Sequence, residues 1–254
     1  MARPYSVSSV SSVVSPETNP EDTEVLPIRC YPLLDPMDTQ TGTIRSLFLD
    51  GPAGRLEALL NAGVPDATYA AVMCHPHPVF GGTLHNKVVF HAMKALNGFG
   101  FPVLRFNFRG AGLSQGEHDH GNGEVDDVRA ALNWLDHKSH LPLIFAGFSF
   151  GAAVGLRAAC SDARVKAVIG LGLPVSPIDD RTYDFSFLTT CAKPKLFVSG
   201  DRDQFGSAAQ MEALVHSIPS PKKLILIAGA DHFFEGRLRE LRGALEQWVG
   251  EAVN

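Results

Sequence analysis

Short apolar runs alternate with amphipathic stretches through most of this 254-residue chain. Apolar runs bounded by Gly, Pro, Asn or Asp indicate buried β-strands, whereas apolar residues three and four apart indicate one face of a helix. The predicted strands are Ile44–Leu49, Leu56–Leu60, Tyr69–Cys74, Pro102–Phe108, Leu143–Ala146, Ala167–Leu173, Lys195–Ser199 and Lys223–Ile227. The predicted helices are Asn86–Leu96, Glu124–Leu135, Ala152–Ala159, Ala208–Ser217 and Arg237–Val249.

The order of these elements predicts the fold class. Strands that alternate with helices indicate βαβ crossovers, and therefore an α/β fold with a mostly parallel sheet and helices on both faces. The first two strands flank a Gly-Pro-Ala-Gly turn at residues 51–54 and are expected to form an antiparallel hairpin. Roughly 20 residues separate Leu173 from Lys195, enough for a loop and one helical turn but not for a cap domain. An open active site is expected.

The N-terminal part of the chain has a different composition. Up to about residue 27 it is rich in Ser, Pro, Thr and Glu, with almost no large apolar side chain before Leu26. Such a segment cannot bury enough apolar surface to fold, so residues 1–42 are predicted to be disordered or extended and residues 43–254 to form the catalytic domain. The Met-Ala-Arg-Pro start lacks the pattern of a secretory signal, and we expect a cytoplasmic protein.

Composition narrows the classes of partner. An apolar content of 45% supports a large core, and a net charge of −5 with a pI near 6.0 gives no reason to expect nucleic acid or an anionic membrane. No apolar run approaches the roughly 20 residues that span a bilayer. The four cysteines form no CxxC pair and are expected to be free thiols. Nothing in the composition sets the oligomeric state.

The pentapeptide Gly147-Phe148-Ser149-Phe150-Gly151 lies between a predicted strand and a predicted helix. A strand that turns sharply into a helix crowds its backbone, and flanking glycines allow the turn to close and expose the serine hydroxyl. The GxSxG pattern occurs by chance in many chains, but this context is typical of a nucleophile elbow. Ser149 is therefore the candidate nucleophile.

A serine hydroxyl needs a base, and that base needs an orienting group. Asp201 and Asp203 directly follow one predicted strand, and His232 follows the next. Each residue alone could be a turn former or an ordinary surface histidine. Their order after Ser149, at the carboxyl ends of strands, favours a Ser-Asp-His triad. Asp203 is preferred over Asp201, which can stabilise its own turn, and Asp231 is expected to point away from the site.

Acyl transfer also requires donors for the developing oxyanion. We expect the backbone amide of Phe150, and a second amide from the His75-Pro76-His77-Pro78 loop. Because proline has no N–H, His77 is the natural donor. Two competing interpretations are a structural role for the two histidines and a metal pair completed by His85, His118 or His120. The metal interpretation is disfavoured, since no spaced third ligand stands out.

Aromatic residues flank the predicted site. Phe80, Phe148, Phe205 and Phe233 are candidates for lining the substrate pocket, although aromatic side chains are more often core. As a group they favour an apolar acyl or aryl substrate over a highly charged one. The glycine-rich turn at residues 109–114 is interpreted as scaffold.

Several longer blocks carry a family resemblance: HPHPVFGGTLHNKVV from His75, RFNFRGAGLSQG from Arg105, GNGEVDDVRAAL from Gly121, GFSFGA from Gly147, SGDRDQF from Ser199 and GADHFF from Gly229. With these blocks the chain resembles the α/β-hydrolase superfamily, and within it the small, lidless bacterial-type hydrolases that contain a His-Pro-His-Pro segment. The resemblance spans roughly residues 43–250. It implies an eight-stranded sheet, a Ser149–Asp203–His232 triad and esterase or related hydrolase activity without a cofactor.

The resulting hypothesis is a serine hydrolase of small carboxylic esters or thioesters that needs no metal. One alternative is a small peptidase or amidase, which kinetics on matched ester and amide substrates would separate. Another is a non-catalytic binding protein on the same fold. The presence of all three triad residues argues against it.

Overall fold

The computed structural model describes residues 43–177 and 181–253, so the predicted N-terminal segment 1–42 lies outside the described residues and its disorder stays a prediction. The strands are β1 (Ile44–Gly51), β2 (Gly54–Asn61), β3 (Ala70–Cys74), β4 (Val103–Phe106), β5 (Leu143–Phe148), β6 (Val165–Leu171), β7 (Lys195–Gly200) and β8 (Lys222–Ile227). The helices are α1 (Lys87–Asn97), α2 (Gly123–Ser139), α3 (Phe150–Ser161), α4 (Ala208–Ser217) and α5 (Leu238–Ala252). Every predicted strand and helix is present.

One eight-stranded sheet organises the domain, with the strand order β1-β2-β4-β3-β5-β6-β7-β8. β1 pairs with β2 and β2 with β4 in antiparallel fashion, and all remaining pairs are parallel. The predicted α/β fold and opening hairpin are therefore confirmed. The crossover helices bring the carboxyl ends of β3, β5, β7 and β8 to one edge, where ligands bind in such sheets.

Two hydrophobic layers cover the sheet because neighbouring residues of a central strand point to opposite faces. On β5, Phe145 belongs to the layer under α2, α3 and α4, whereas Ile144 and Ala146 belong to the layer under α1 and α5. β3 and β5 are buried at every position. This is why they read as continuous apolar runs rather than alternating ones.

The connection between β6 and β7 is short. Its described residues contain a 3-10 helix at Ser186–Thr190 and no inserted domain, in agreement with the predicted loop and single helical turn. Cys74, Cys160 and Cys191 are free thiols, as expected, and Cys30 lies outside the described residues. Within the described ranges no helix has the length and apolarity to cross a membrane.

Candidate active site

Ser149 occupies the sharp turn between β5 and α3, with φ 54° and ψ −120°. A positive φ is uncommon for a residue with a side chain and marks local strain. The flanking glycines make the turn possible. A Cβ on Gly147 would lie 2.6 Å from the carbonyl oxygen of Gly151, and a Cβ on Gly151 would lie 2.3 Å from that of His75. The local geometry is that of a nucleophile elbow.

The structure brings Ser149, His232 and Asp203 into one hydrogen-bonded row. Ser149 Oγ lies 2.9 Å from His232 Nε2, and His232 Nδ1 lies 2.8 Å from Asp203 Oδ2. All three residues are buried. Asp203 also accepts a hydrogen bond from the amide of Phe205 at 2.8 Å, which fixes its carboxylate against the ring. A buried base held between a hydroxyl and a carboxylate is an arrangement that activates the hydroxyl.

The other two aspartates near the site are used in local turns. Asp201 Oδ1 accepts a hydrogen bond from the amide of Gly229 at 2.7 Å. Asp231 Oδ1 accepts hydrogen bonds from two amides of its own turn. Among the described residues, Asp203 alone has its carboxylate on the His232 ring. The geometry thus agrees with the sequence-based preference for Asp203.

Aromatic packing orients the His232 ring. The ring centroids of Phe148 and Phe205 lie 5.1 Å and 4.6 Å from that of His232. Phe148 was expected to line the substrate pocket, and this expectation is corrected by its complete burial. As the last residue of β5 it points into the core behind His232 and does not line the pocket at Ser149. It supports the base instead.

His77 and Phe150, the two predicted oxyanion donors, both line the pocket that contains Ser149, and they come from two elements. Phe150 is the first residue of α3, and His77 precedes a 3-10 helix at Pro78–Phe80. Neither amide donates a hydrogen bond to another described residue. The two side-chain rings lie 4.8 Å apart, which joins the loops that carry the amides. Because both amides lack a partner among the described residues, both are available to donate to an oxyanion.

His75 has a structural role in the same loop. Its Nδ1–H donates to the carbonyl oxygen of Pro76 at 2.6 Å, and its Nε2 accepts the amide proton of Phe108 at 3.0 Å. Burial lowers the pKa of His75 to about 4, and the bond to Pro76 opposes that shift only partly. An accepting Nε2 requires the neutral ring, so the pKa and the hydrogen bonds agree. His75 ties the end of β3 to the end of β4.

Two buried polar side chains that hydrogen-bond the backbone of this loop region were not predicted from the sequence. Asn107 Oδ1 accepts the amide proton of Leu84 at 2.8 Å, and Arg105 Nη1 donates to the carbonyl oxygen of Leu84 at 3.1 Å. The signal was present in the sequence, because Arg105 and Asn107 interrupt an otherwise apolar strand and are buried. Buried polar side chains need partners, and here the partners are the backbone of the oxyanion loop.

The glycine-rich turn after β4 serves the scaffold, as interpreted from the sequence. Arg109 Nη2 pairs with Asp127 Oδ1 at 2.7 Å, with the carboxylate fully buried. Arg109 also donates to the carbonyl oxygen of Gly123 at 2.6 Å. Ser114 Oγ donates to the carbonyl oxygen of Asn107 at 2.7 Å. These bonds fix the turn to α2 and to the strand that supports the site.

A pocket of about 330 Å³ opens above Ser149 and His232, and is called the Ser149 pocket below. Three of the four predicted phenylalanines line it, namely Phe80, Phe205 and Phe233. Phe80 stands at the mouth with 69% of its surface exposed. The lining also includes Pro76 of the predicted oxyanion loop, and five residues that were not predicted from the sequence, namely Gly81, Gly82, Asn86, Arg181 and Tyr183. Arg181 and Tyr183 come from the connection between β6 and β7, a loop with no readable pattern.

Three histidines cluster beside the pocket. The ring centroids of His77 and His118 lie 4.7 Å apart, and those of His118 and His120 lie 5.2 Å apart. Burial, followed by the neighbouring charges of His118 and Arg181, lowers the pKa of His77 to about 4. In the described part of the chain, no group of three or more His, Cys, Asp or Glu side chains is arranged to hold a metal ion.

Comparison with known proteins gives a consistent result. Residues 77–252 match the model of a family described as an alpha/beta hydrolase domain. An uncharacterized protein of Rickettsia prowazekii is 37% identical over 211 residues, which cover 80% of this chain and 87% of that protein.

Two solved structures are similar over most of their length. One, described as an alpha-beta serine hydrolase homologue from Coxiella burnetii, is 39% identical and has a TM-score of 0.73, with coverage of 80% of this chain and 96% of that one. The other, described as an a/b serine hydrolase without lid from Xanthomonas campestris, is 36% identical with the same TM-score of 0.73. The alignment covers 82% of this chain and 94% of that one. The chain therefore belongs to the α/β-hydrolase family.

Proposed function

We propose that this hydrolase cleaves carboxylic esters or thioesters with Ser149 as nucleophile, His232 as general base and Asp203 as the orienting acid. The observation that carries the proposal is the hydrogen-bonded row, with 2.9 Å between Ser149 Oγ and His232 Nε2 and 2.8 Å between His232 Nδ1 and Asp203 Oδ2. No cofactor takes part in this reaction.

Acylation begins when Ser149 Oγ attacks the carbonyl carbon of the ester. His232 Nε2 takes the hydroxyl proton as the new C–O bond forms, and the carbonyl electron pair moves onto oxygen. The amides of His77 and Phe150 donate hydrogen bonds to that oxyanion. These bonds are stronger to the oxyanion than to the neutral carbonyl of the bound ester, so they lower the barrier. His232 then gives its proton to the alcohol or thiol, which leaves.

Deacylation repeats these steps with water. His232 removes a proton from a water molecule that attacks the acyl-Ser149 ester, and the same two amides hold the second oxyanion. The Asp203 carboxylate stabilises the imidazolium that forms in both half-reactions. Its bond to the Phe205 amide keeps the carboxylate directed at Nδ1 throughout.

The pocket lining favours an apolar group next to the scissile bond. Phe80, Phe205 and Phe233 surround a volume of about 330 Å³ beside the nucleophile. A volume of this size is at the lower end of small-molecule sites, roughly 300 to 1,000 Å³. We propose a small-molecule substrate with an apolar acyl or aryl part. Free thiols at three described cysteines fit a reducing compartment, and we propose a cytoplasmic location.

The test is the hydrolysis of p-nitrophenyl esters from acetate to decanoate by wild type and by Ser149→Ala. The proposal requires turnover with a chain-length optimum and a loss of about 10⁴-fold or more in kcat for the variant. The p-nitroanilide with the same acyl group, run in parallel, measures the preference for an ester over an amide.

Turnover that is unchanged in Ser149→Ala would contradict the assignment of the nucleophile. Faster cleavage of the anilide than of the ester would contradict the proposed bond type and favour an amidase. Thioesters of the optimal acyl chain, compared with the oxygen ester, then decide between the two proposed leaving groups.

A further inference from the structure

A second cavity of about 390 Å³ adjoins the Ser149 pocket, and is called the Arg157 cavity below. Four residues line both spaces, namely His77, Phe150, Arg181 and Tyr183. The two spaces therefore meet at the residues whose amides are proposed to hold the oxyanion. A substrate that is too long for the Ser149 pocket would extend into the Arg157 cavity.

One face of α3 forms the floor of this cavity. Phe150, Ala153, Val154 and Arg157 line it, and their spacing of three, four and seven places them on the same side of the helix. Arg157 follows Ser149 by eight residues, or about 12 Å along the helix axis. Side chains of a helix lean toward its N-terminus, so the guanidinium reaches back and a partner anion would lie on the order of 8 Å from the scissile carbonyl.

One wall of the cavity is held in place by hydrogen bonds. This wall is the loop at residues 118–122, whose amides at Asp119 and Gly121 donate to the buried carboxylate of Glu124 at 2.8 Å and 2.9 Å. His118 Nδ1 lies 2.7 Å from the same carboxylate. The other wall is the segment at residues 181–184. Because the loop at residues 118–122 is already fixed, ordering it on ligand binding costs little entropy.

The charge of the lining distinguishes this cavity from the Ser149 pocket. Arg157 and Arg181 contribute two guanidinium groups, whereas Asp184 is the one carboxylate among the described lining residues. Asp184 accepts hydrogen bonds from the amide and hydroxyl of Ser186, both at 2.8 Å, and these bonds lower its pKa more than the charge of Arg157 does. His120 adds an imidazole ring to the lining. Among the described lining residues, the two arginines outnumber the one aspartate.

We propose that the Arg157 cavity binds an anionic group, a carboxylate or a phosphate, carried by the substrate whose ester lies at Ser149. This inference rests on the proposed function and narrows its substrate class. Guanidinium groups suit it because they form charge-assisted, bidentate hydrogen bonds with planar carboxylates and with phosphates. The substrate is then apolar next to the ester and anionic at its far end.

The experiment compares matched esters that differ in one terminal charge. The acyl arm uses p-nitrophenyl octanoate and the mono-p-nitrophenyl ester of octanedioic acid. The alcohol arm uses hexyl butanoate and 6-(butanoyloxy)hexanoate. In this arm the rate of hydrolysis is measured as the release of butyrate. We expect the anionic member of at least one arm to have a kcat/KM about tenfold above its neutral partner. The arm that shows the advantage identifies which half of the substrate carries the anion.

Arg157→Gln should reduce that anionic-to-neutral ratio to near one, as should high salt, because both remove the attraction. The matched control is Arg239→Gln, an exposed arginine on α5 that does not line the cavity, which should retain the ratio. Arg157 is itself exposed, so folding of its variant is expected and is checked by its thermal midpoint. Anionic esters that are no better than neutral ones in both arms, or a ratio that Arg157→Gln leaves unchanged, would overturn the inference.

A binding measurement separates this inference from the proposed function. Calorimetric titration of octanedioate into Ser149→Ala, and into the double variant with Arg157→Gln, should show about tenfold weaker binding by the double variant. If no ester is hydrolysed but binding still depends on Arg157, the proposed function fails and the anion site stands. If binding does not depend on Arg157, the inference is overturned whatever the esterase assay shows.

Discussion

Two buried histidines lie near Ser149, and they differ in the hydrogen-bond partners of their rings. His75 follows β3 and is 0% exposed, and His232 follows β8 and is 2% exposed. In each histidine, both ring nitrogens form hydrogen bonds. The partners of His75 are the backbone oxygen of Pro76 and the backbone amide of Phe108. The partners of His232 are the side chains of Asp203 and Ser149.

The comparison shows that the partners of a buried histidine, not its burial, decide its use. The Phe108 amide can only donate to Nε2, and burial outweighs the support that the Pro76 oxygen gives to a protonated ring, so His75 is held neutral and serves as a cross-link. At His232 a carboxylate faces Nδ1 and a hydroxyl faces Nε2, so a proton can move from Ser149 to the ring and the resulting charge is compensated. One ring positions the oxyanion loop, and the other performs the chemistry.

Substitution of each histidine by glutamine gives the largest expected contrast. We predict that His232→Gln lowers kcat about 10⁵-fold, because it removes the base. His75→Gln should lower kcat far less, since the ring is not in contact with substrate. Steady-state kinetics on the optimal p-nitrophenyl ester measure both. Equal losses in the two folded variants would abolish the distinction.

The two aspartates after β7 provide the next contrast. Asp203→Asn should lower kcat about 10⁴-fold, because the amide no longer stabilises the imidazolium or its tautomer. Asp201→Asn is the matched control and should affect mainly the turn, through its bond to the Gly229 amide. If the larger loss followed Asp201→Asn, the assignment of the acid would be reversed.

Protonation of His75 predicts how stability depends on pH. Its pKa is lowered to about 4 in the folded protein from an ordinary 6.5, so the unfolded chain binds more protons between these values. The stabilisation is complete above pH 6.5 and is lost as the pH falls through 4, a change of about 3 kcal/mol at pH 4.

Urea denaturation from pH 7 to pH 4 measures this loss. In His75→Gln the free energy of unfolding should be lower throughout, and its slope against pH should be flatter in that window. A variant whose slope equals that of wild type would show that His75 does not carry the effect.

A smaller effect is expected from the glycine pair of the oxyanion loop. A Cβ on Gly82 would lie 2.2 Å from the carbonyl oxygen of Pro76, so Gly82→Ala must displace the peptide that leads to His77. We predict a loss of about tenfold in kcat with little change in KM.

Gly81→Ala is the control, because nothing lies within 4 Å of its Cβ and its φ of +78° adds only backbone strain. That control should cost about 1 kcal/mol of stability. Identical kinetics for the two variants would argue against a steric effect on the amide.

Much of this arrangement could be predicted from the sequence because its determinants are local. The GxSxG elbow needs glycines at fixed offsets, and strands buried on both faces read as apolar runs. Asp203 was separable from Asp201 because a carboxylate directly after Gly200 tends to stabilise its own turn. The open site followed from the length of one connection.

The rest depends on contacts between distant segments. Phe148 looked like a pocket residue because it is adjacent to Ser149, yet strand alternation turns it into the core. Arg157 reads as an ordinary solvent-facing residue of α3, and it gains significance only where residues 118–122 and 181–184 close around it. No sequence periodicity relates those segments.

The central claim is that Ser149 is an activated nucleophile, and covalent labelling tests it most directly. Wild type, Ser149→Ala and Asp203→Asn are incubated with an alkyl fluorophosphonate, and adducts are located by peptide mass spectrometry. We predict a single stoichiometric adduct on Ser149, no adduct in Ser149→Ala and slow labelling of Asp203→Asn. Folded wild-type protein that stays unlabelled, or a label on another residue that persists in Ser149→Ala, would contradict it.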